Sequence, residues 1–165
     1  MENIIRTLVC GEQVSLTLAD TTELVRRGKK LHNLTKGGAE TLGKFLSAAA
    51  FMSAALKEES GEISFALQCD GEGQLCNVSG NHALNIRGYL ENAKATGNER
   101  SILGNEGSFT VIRDDGYSRP FVSAPFSVAN SIGFPCTQYN KVLRRLRMGL
   151  FFSVLNLLVF FPRII

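Results

Sequence analysis

Residues 20–57 constrain the fold most strongly, because two helical patterns follow one another there. Asp20 and Glu23 have the spacing of a capping box, in which each side chain satisfies a free backbone amide at the start of a helix. We therefore predict that a first helix begins at this point. The residues that fall on one face of it are Leu24, Val25, Gly28 and Leu31.

Thr35 is suited to cap a second helix, in which apolar residues recur at steps of three and four. These residues are Ala39, Leu42, Leu46, Ala49, Ser53 and Leu56. A second stripe contains only small side chains, namely Gly43, Ser47, Ala50 and Ala54. Since small side chains let a neighbouring element approach the helix backbone, we predict a helix that is buried on more than one side and is the central packing element.

Short apolar runs with alternating polar neighbours surround the helical pair and predict β-strands. Residues 4–9 and 14–18 form a predicted hairpin before the first helix. The later runs lie between residues 63 and 122, with turns at 70–73, 80–81 and 114–116 and the longest candidate loop at 91–100. The predicted fold class is therefore α+β, a mostly antiparallel sheet packed on a central two-helix unit.

The charge is distributed unevenly along the chain. The formal net charge is +3, but five basic residues and no acidic ones follow Pro125, which leaves 13 basic and 15 acidic residues before that point. The first part is thus mildly acidic, so we expect no nucleic-acid partner. The N-terminal sequence has no secretory signal pattern, which favours a cytoplasmic protein.

The last part of the chain differs in composition from the rest. Residues 148–161 are almost wholly apolar and follow a basic cluster at 144–147. This run is shorter than the roughly 20 apolar residues that span a bilayer, so we do not expect a membrane partner. A membrane-surface anchor formed by residues 144–161 stays an open alternative.

Several residues with reactive side chains are weighed as sites, and none is predicted to be catalytic, cofactor-binding or metal-binding. His32, between the two helices, is interpreted as a capping or packed histidine, and His82 as a turn residue. Asp114 and Asp115 are neighbours on a turn, where side chains usually point apart. Residues 71–73 lack the third glycine of a dinucleotide fingerprint. The segment Arg87-Gly88-Tyr89 could bind a ligand, but its glycine is interpreted as permitting close backbone approach or a bulge.

The four cysteines, Cys10, Cys69, Cys76 and Cys136, contain no CxC or CxxC pair. In a chain without a secretory signal, we interpret them as reduced structural thiols. An enzyme that uses a single reactive thiol, for instance Cys10 or Cys69, is the first alternative function. It would require a lowered thiol pKa beside a base.

Several of these segments, in this order, resemble the Hsp33 family of redox-regulated chaperones, also called 33 kDa chaperonins. The resemblance covers roughly residues 3–123. The segments that carry it are Asp20-Thr21-Thr22, Leu24-Val25, His32, Leu34-Thr35, Leu42-Gly43, the alanine run before Met52, Asp70-Gly71, Gly73, Arg87-Gly88-Tyr89 and Gly107 through Pro120.

The resemblance implies an ATP-independent holdase of the stress response, which binds unfolded client proteins and performs no catalysis. It also implies a division into an Hsp33-like N-terminal core, residues 1–124, and an atypical tail, residues 125–165. Family members carry a C-terminal zinc module with CxC and CxxC, and no cysteine here matches those positions, so we expect no cofactor in this chain. A homodimer, a frameshifted or truncated end near residues 122–126, and an inactive fragment remain open alternatives.

Overall fold

The computed structural model describes residues 3–9, 14–127 and 158–160, and it has the predicted α+β architecture. The first half contains β1 (Asn3–Val9), β2 (Val14–Asp20), α1 (Thr22–His32) and α2 (Lys36–Ser53). The second half contains β3 (Glu62–Gln68), β4 (Leu75–Asn81), β5 (Ile86–Leu90), α3 (Glu99–Leu103) and β6 (Ser108–Asp114). The short strands β7 (Phe121–Val122), β8 (Phe126–Ser127) and β9 (Leu158–Phe160) complete the description.

The strands form two sheets in the described part of the chain. The larger sheet has the order β5-β4-β3-β6-β7, with β8 also paired to β6, and all its pairs are antiparallel. The smaller sheet has the order β1-β2-β9, in which β1 and β2 form the predicted hairpin and β9 runs parallel to β2. The sequence predicts a single sheet, whereas in the structure the hairpin belongs to a sheet separate from the larger one.

Helix α2 is the central packing element, as predicted. It packs on one face of the larger sheet, where alternate residues of β3, β4 and β6 are buried. Phe45 of α2 meets Phe109 of β6 with ring centroids 6.2 Å apart, and Phe109 meets Phe65 of β3 at 5.6 Å. Each such buried side chain contributes roughly 1.5–3 kcal/mol of hydrophobic stabilisation, so this layer supplies much of the stability of the fold.

The N-terminal half of α1 packs against the stripe of small side chains on α2. A Cβ at Gly43 would lie 2.9 Å from Cγ1 of Val25, so glycine is needed for the two helices to approach this closely. The buried Ser47 hydroxyl donates to the carbonyl of Gly43 at 2.8 Å and lies 2.6 Å from the hydroxyl of Thr21. Since Ser47 has one proton to donate, Thr21 donates to Ser47.

The two predicted helix caps have different outcomes. Thr35 caps α2 as predicted, because its Oγ1 accepts from the amide of Gly38 at 3.0 Å. The capping box at α1 is wrong in part. Asp20 accepts from the amide of Thr22 at 3.0 Å, but Glu23 pairs with Arg26 at 2.6 Å. Asp20 belongs to β2, opposite Asn3, so the helix begins too late for Asp20 to be its N-cap.

Two loop predictions also differ from the structure. Strand β4 continues through Gly80 and Asn81, and the Asn81 side chain then accepts from the amide of Asn85 at 3.0 Å to close the following turn. The predicted loop at 91–100 ends in helix α3, where Asn98 caps the helix by accepting from the amide of Ser101 at 3.0 Å. A five-residue helix has too few residues to show a periodic apolar pattern.

Candidate functional site: a groove between helix α1 and the larger sheet

A groove of about 650 Å³ lies between α1 and the larger sheet, in the size range of ligand pockets. One wall comes from residues of α1 at helical spacing, namely Leu24, Arg27, Gly28, Leu31 and His32. Such spacing places them on one side of the helix. The sequence predicts that Leu31 lies on one face of α1 with Leu24 and Gly28, and all three line the groove. Leu31 is 74% exposed.

Most of the floor of the groove is the face of the sheet that α2 does not cover, and Leu46 of α2 lines the groove together with Phe65, Val78 and Gly88. The uncovered face carries mostly small or polar side chains, with the larger Tyr89 and Ile112 among them, and all are half-buried or exposed. They are Glu62, Ser64, Ala66, Asn77, Ser79, Arg87, Tyr89 and Ile112. This face is therefore mixed in character, and the leucines on α1 add apolar surface to a wall that also carries Arg27.

Cross-strand hydrogen bonds hold the polar side chains of the floor in place. Arg87 donates from Nε to the hydroxyl of Ser79 at 2.9 Å, and its Nη2 lies 3.3 Å from Oε1 of Glu62. Beside this pair, Asn77 donates to the phenol oxygen of Tyr89 at 3.0 Å. Ser79 lies opposite Arg87, and Asn77 opposite Tyr89, so these are directly facing side chains of β4 and β5.

Gly88 permits close packing between β5 and α2, as the sequence predicts. A Cβ at this position would lie 2.6 Å from Cγ2 of Val78 and 3.2 Å from Cδ2 of Leu46. The flanking Arg87 and Tyr89 line the groove on the other face of the sheet. The structure therefore supports the interpretation of the glycine, and it places Arg87 and Tyr89 in the groove, the ligand-binding alternative that the sequence interpretation set aside.

The two described cysteines do not have the properties of reactive thiols. Cys69 follows β3 and Cys76 lies in β4, and both are buried and free. Burial raises the pKa of Cys69 to about 11, with a smaller contribution from the charge of Asp70, and burial also raises the pKa of Cys76. The thiol-enzyme alternative therefore finds no lowered pKa at Cys69. Cys10 and Cys136 lie outside the described residues.

The other residues weighed from sequence have local structural contacts. Asp114 accepts from the amide of Gly116 at 2.8 Å. Asp115 accepts from the amides of Tyr117 and Ser118, and these hydrogen bonds lower its pKa. His82 is exposed in a turn, where its amide donates to Gly61.

Residues 71–73 form the predicted hairpin turn, with hydrogen bonds between Cys69 and Gln74 and between Gln74 and Gly71. Within the described ranges, no group of three or more His, Cys, Asp or Glu residues is close enough to hold a metal ion. None of the described helices has the length and apolarity needed to cross a membrane.

Comparison with known proteins gives a family match over most of the chain. The family model described as "Hsp33 protein" matches residues 2–140. The chain belongs to the Hsp33 family. It is 33% identical over 129 residues to the 33 kDa chaperonin of Clostridium novyi, covering 73% of this chain and 44% of that protein. It is 29% identical over 149 residues to the 33 kDa chaperonin of Clostridium botulinum strain Langeland, covering 86% and 50%.

The fold agrees with a solved Hsp33 structure. The crystal structure of the 33 kDa chaperonin from Thermotoga maritima matches with a TM-score of 0.72 at 23% identity, covering 86% of this chain and 51% of that one. At this identity the likeness concerns the fold alone. The chain spans about half the length of the Hsp33 relatives that it matches.

Proposed function

We propose that this chain acts as a holdase, which binds unfolded client proteins through exposed apolar surface and uses no nucleotide. The observation that carries this proposal is the groove, in which Leu24, Leu31 and Tyr89 offer apolar surface beside Arg27 and Glu62. Membership of the Hsp33 family and the chaperonin names of the relatives support it. Contiguous apolar surface rimmed by charge is typical of sites that bind other proteins.

The size of the groove suggests weak binding at each client segment. Covering one large apolar side chain is worth roughly 1.5–3 kcal/mol before the cost of ordering the client. Leu31 and Tyr89 together therefore bind a single segment loosely, and a client that offers several such segments binds more tightly. This behaviour suits a protein that holds many different unfolded chains and releases them.

We also propose that client binding by this chain does not depend on oxidant and needs no cofactor. The 165 residues contain no CxC or CxxC, and the two described thiols are buried. We further propose a cytoplasmic protein without catalytic activity or a nucleic-acid partner. A homodimer would double the number of grooves. The alternative of a membrane anchor concerns residues 144–161, most of which lie outside the described residues.

A light-scattering assay with a thermally unfolding client, under reducing conditions and without ATP, tests the proposal. We expect aggregation to fall as the chain is added. Leu31→Gln should weaken this effect because it removes apolar surface from the groove at a highly exposed position. The matched control is Leu8→Gln, which changes an exposed leucine of β1 that does not line the groove.

Two results would contradict the proposal. If the unmodified chain leaves aggregation unchanged under reducing conditions, the chain is not a holdase by itself. If Leu31→Gln and Leu8→Gln weaken the effect equally, the groove is not the surface that carries it.

A further inference from the structure

We propose that a client segment binds in this groove as an added β-strand, paired with the free edge of β5, and that the preferred segments alternate apolar and acidic side chains. This inference rests on the proposed function and specifies how the client is recognised. Pairing through the backbone explains how one groove could accept many sequences, because main-chain hydrogen bonds do not depend on side-chain identity.

The hydrogen-bond pattern of β4 and β5 shows which backbone groups of β5 face away from the sheet. The amide of Glu91 donates to the carbonyl of Leu75 at 2.8 Å, which marks those two residues as a hydrogen-bonded pair. Such pairs alternate along an antiparallel ladder, so Tyr89 and Arg87 also bond to β4. The amides and carbonyls of Ile86 and Gly88 therefore point to the open edge.

The two edges of the larger sheet differ in their strand partners. At one edge, β7 and β8 pair with β6, and between them Ser123 donates its amide to the carbonyl of Val111 and accepts the amide of Val111 on its hydroxyl. At the other edge, β5 pairs with β4 only, among the residues that the structure describes. An edge strand that pairs on one side only is a template for another extended chain.

Side chains around this edge favour an alternating segment. In a strand added to β5, alternate side chains would lie on the two faces of the sheet. On one face, Leu24 and Leu46 line the groove near Gly88 and suit an apolar residue. On the other face, the neighbours are Arg87 and Tyr89.

The charges in the groove favour acidic residues in the client. Arg27 lines the groove and forms no ion pair with any residue that the structure describes, whereas Arg87 is paired with Glu62. The unpaired guanidinium of Arg27 leaves a net positive charge at the rim. An acidic side chain in the added strand would complement it.

Amide hydrogen exchange of the full chain, with and without a short blocked peptide of alternating leucine and glutamate, tests the pairing. We expect the amides of Ile86 and Gly88 to exchange at least about tenfold more slowly with peptide, since each gains a backbone hydrogen bond. The amides of Arg87 and Tyr89, already bonded to β4, should change little. Unchanged exchange at Ile86 and Gly88 under saturating peptide would overturn the inference.

Two modified peptides separate backbone pairing from simple apolar contact. One carries N-methyl groups on the backbone nitrogens of its leucines, and the other on those of its glutamates. Each peptide therefore loses the amide donors along one edge of the strand while keeping all its side chains. We expect one of them to bind at least about tenfold more weakly and the other within about threefold. Equal affinity of both would mean that the peptide has no preferred edge, which contradicts an added strand.

Charge variants of α1 test the preference for acidic segments. Arg27→Glu should weaken binding of the leucine–glutamate peptide by about fivefold, while the matched control Lys30→Glu, on the same helix but outside the groove, should not. For a peptide with lysine in place of glutamate, Arg27→Glu should instead strengthen binding relative to Lys30→Glu. Equal effects of the two variants would show that the charge of Arg27 does not select acidic segments, and that part of the proposal would be wrong.

These outcomes are distinguishable from a failure of the holdase proposal. If the chain suppresses client aggregation but Ile86 and Gly88 exchange as before, only the strand addition is wrong. If protection of these two amides instead rises with the concentration of the chain alone, a second copy occupies the edge and the inference also fails. If aggregation is not suppressed at all, the function itself is contradicted.

Discussion

At the scale of single residues, burial determines the chemistry of the two described thiols. Cys69 has a pKa of about 11, so only about 0.1% of it is thiolate at pH 8, and thiolate is the reactive form. Cys76 is shifted in the same direction. We predict that a Cys10→Ser, Cys136→Ser variant reacts with a thiol-specific reagent at pH 8 only after it is unfolded. Rapid labelling of the native variant would contradict this.

The hydrogen bonds of Asp70 lead to a prediction about how stability depends on pH. Its two carboxylate oxygens accept from the amides of Glu106 at 2.9 Å and Gly107 at 3.0 Å, and these bonds join the end of β3 to the segment before β6. The backbone hydrogen bond from Glu106 is the largest cause of a pKa below the ordinary value of 3.8. The charged form is therefore favoured in the folded state.

The sign of the pH effect follows from this lowered pKa. The contribution of Asp70 to stability is fully present above about pH 4, the pKa of an unfolded aspartate, and is lost as the pH falls through the folded pKa. We predict that Asp70→Asn lowers the urea midpoint at pH 7 and reduces the loss of stability below pH 4. If the variant and the unmodified chain lose stability in parallel on acidification, this account of Asp70 is wrong.

At the scale of elements, the contact between α1 and α2 depends on the absence of a side chain at Gly43. Alanine at this position would crowd Val25, at a cost of about 1–3 kcal/mol, while its better helix propensity returns up to about 1 kcal/mol. We predict that Gly43→Ala destabilises the chain. In the Val25→Ala background, where the methyl group has space, the same change should become stabilising by up to about 1 kcal/mol.

Urea denaturation of the four variants of this double-mutant cycle measures the coupling. The expected coupling energy is about 1–3 kcal/mol, since the two side chains compete for one space. If Gly43→Ala has the same effect in both backgrounds, the close approach of α1 and α2 does not limit the side chain at this position.

The elements could be predicted from sequence wherever one local pattern determined them. The helical pair, the Thr35 cap and the alternation of Ile63, Phe65 and Leu67 depend on neighbouring residues and on burial of one face. The start of α1 could not be predicted in the same way, because Asp20 is held in a strand by its pairing with Asn3, which is a tertiary effect.

The groove could not be predicted from sequence because its residues come from six separate elements. Its lining extends from Leu24 in α1 to Ile112 in β6, and no short motif contains it. One signal was present. The α1 stripe that holds Leu24 and Leu31 also holds Arg27 and His32, and a stripe with charged members is typical of a partly exposed surface. Combined with Arg87 and Tyr89 on β5, it could have indicated a binding face.

At the scale of the whole molecule, the two sheets differ in how firmly they are attached. The larger sheet shares its core with α2 and α3. In β1, four consecutive residues, Ile5 to Leu8, are exposed, with Ile5 at 59% and Leu8 at 57%. Since neighbouring strand residues point to opposite faces, both faces of this stretch lack cover from the described residues.

This difference predicts separate unfolding units. Opening of the hairpin β1–β2 exposes little buried apolar surface, whereas opening of β3 or β4 breaks the core around Phe65 and Val78. We therefore predict that, in native-state hydrogen exchange, amides bonded between β1 and β2 open with a free energy well below that of global unfolding. Amides bonded between β3 and β4 should exchange only through global unfolding. Identical opening free energies for the two strand pairs would show that the hairpin and the larger sheet form one cooperative unit, and the groove would then unfold together with the hairpin.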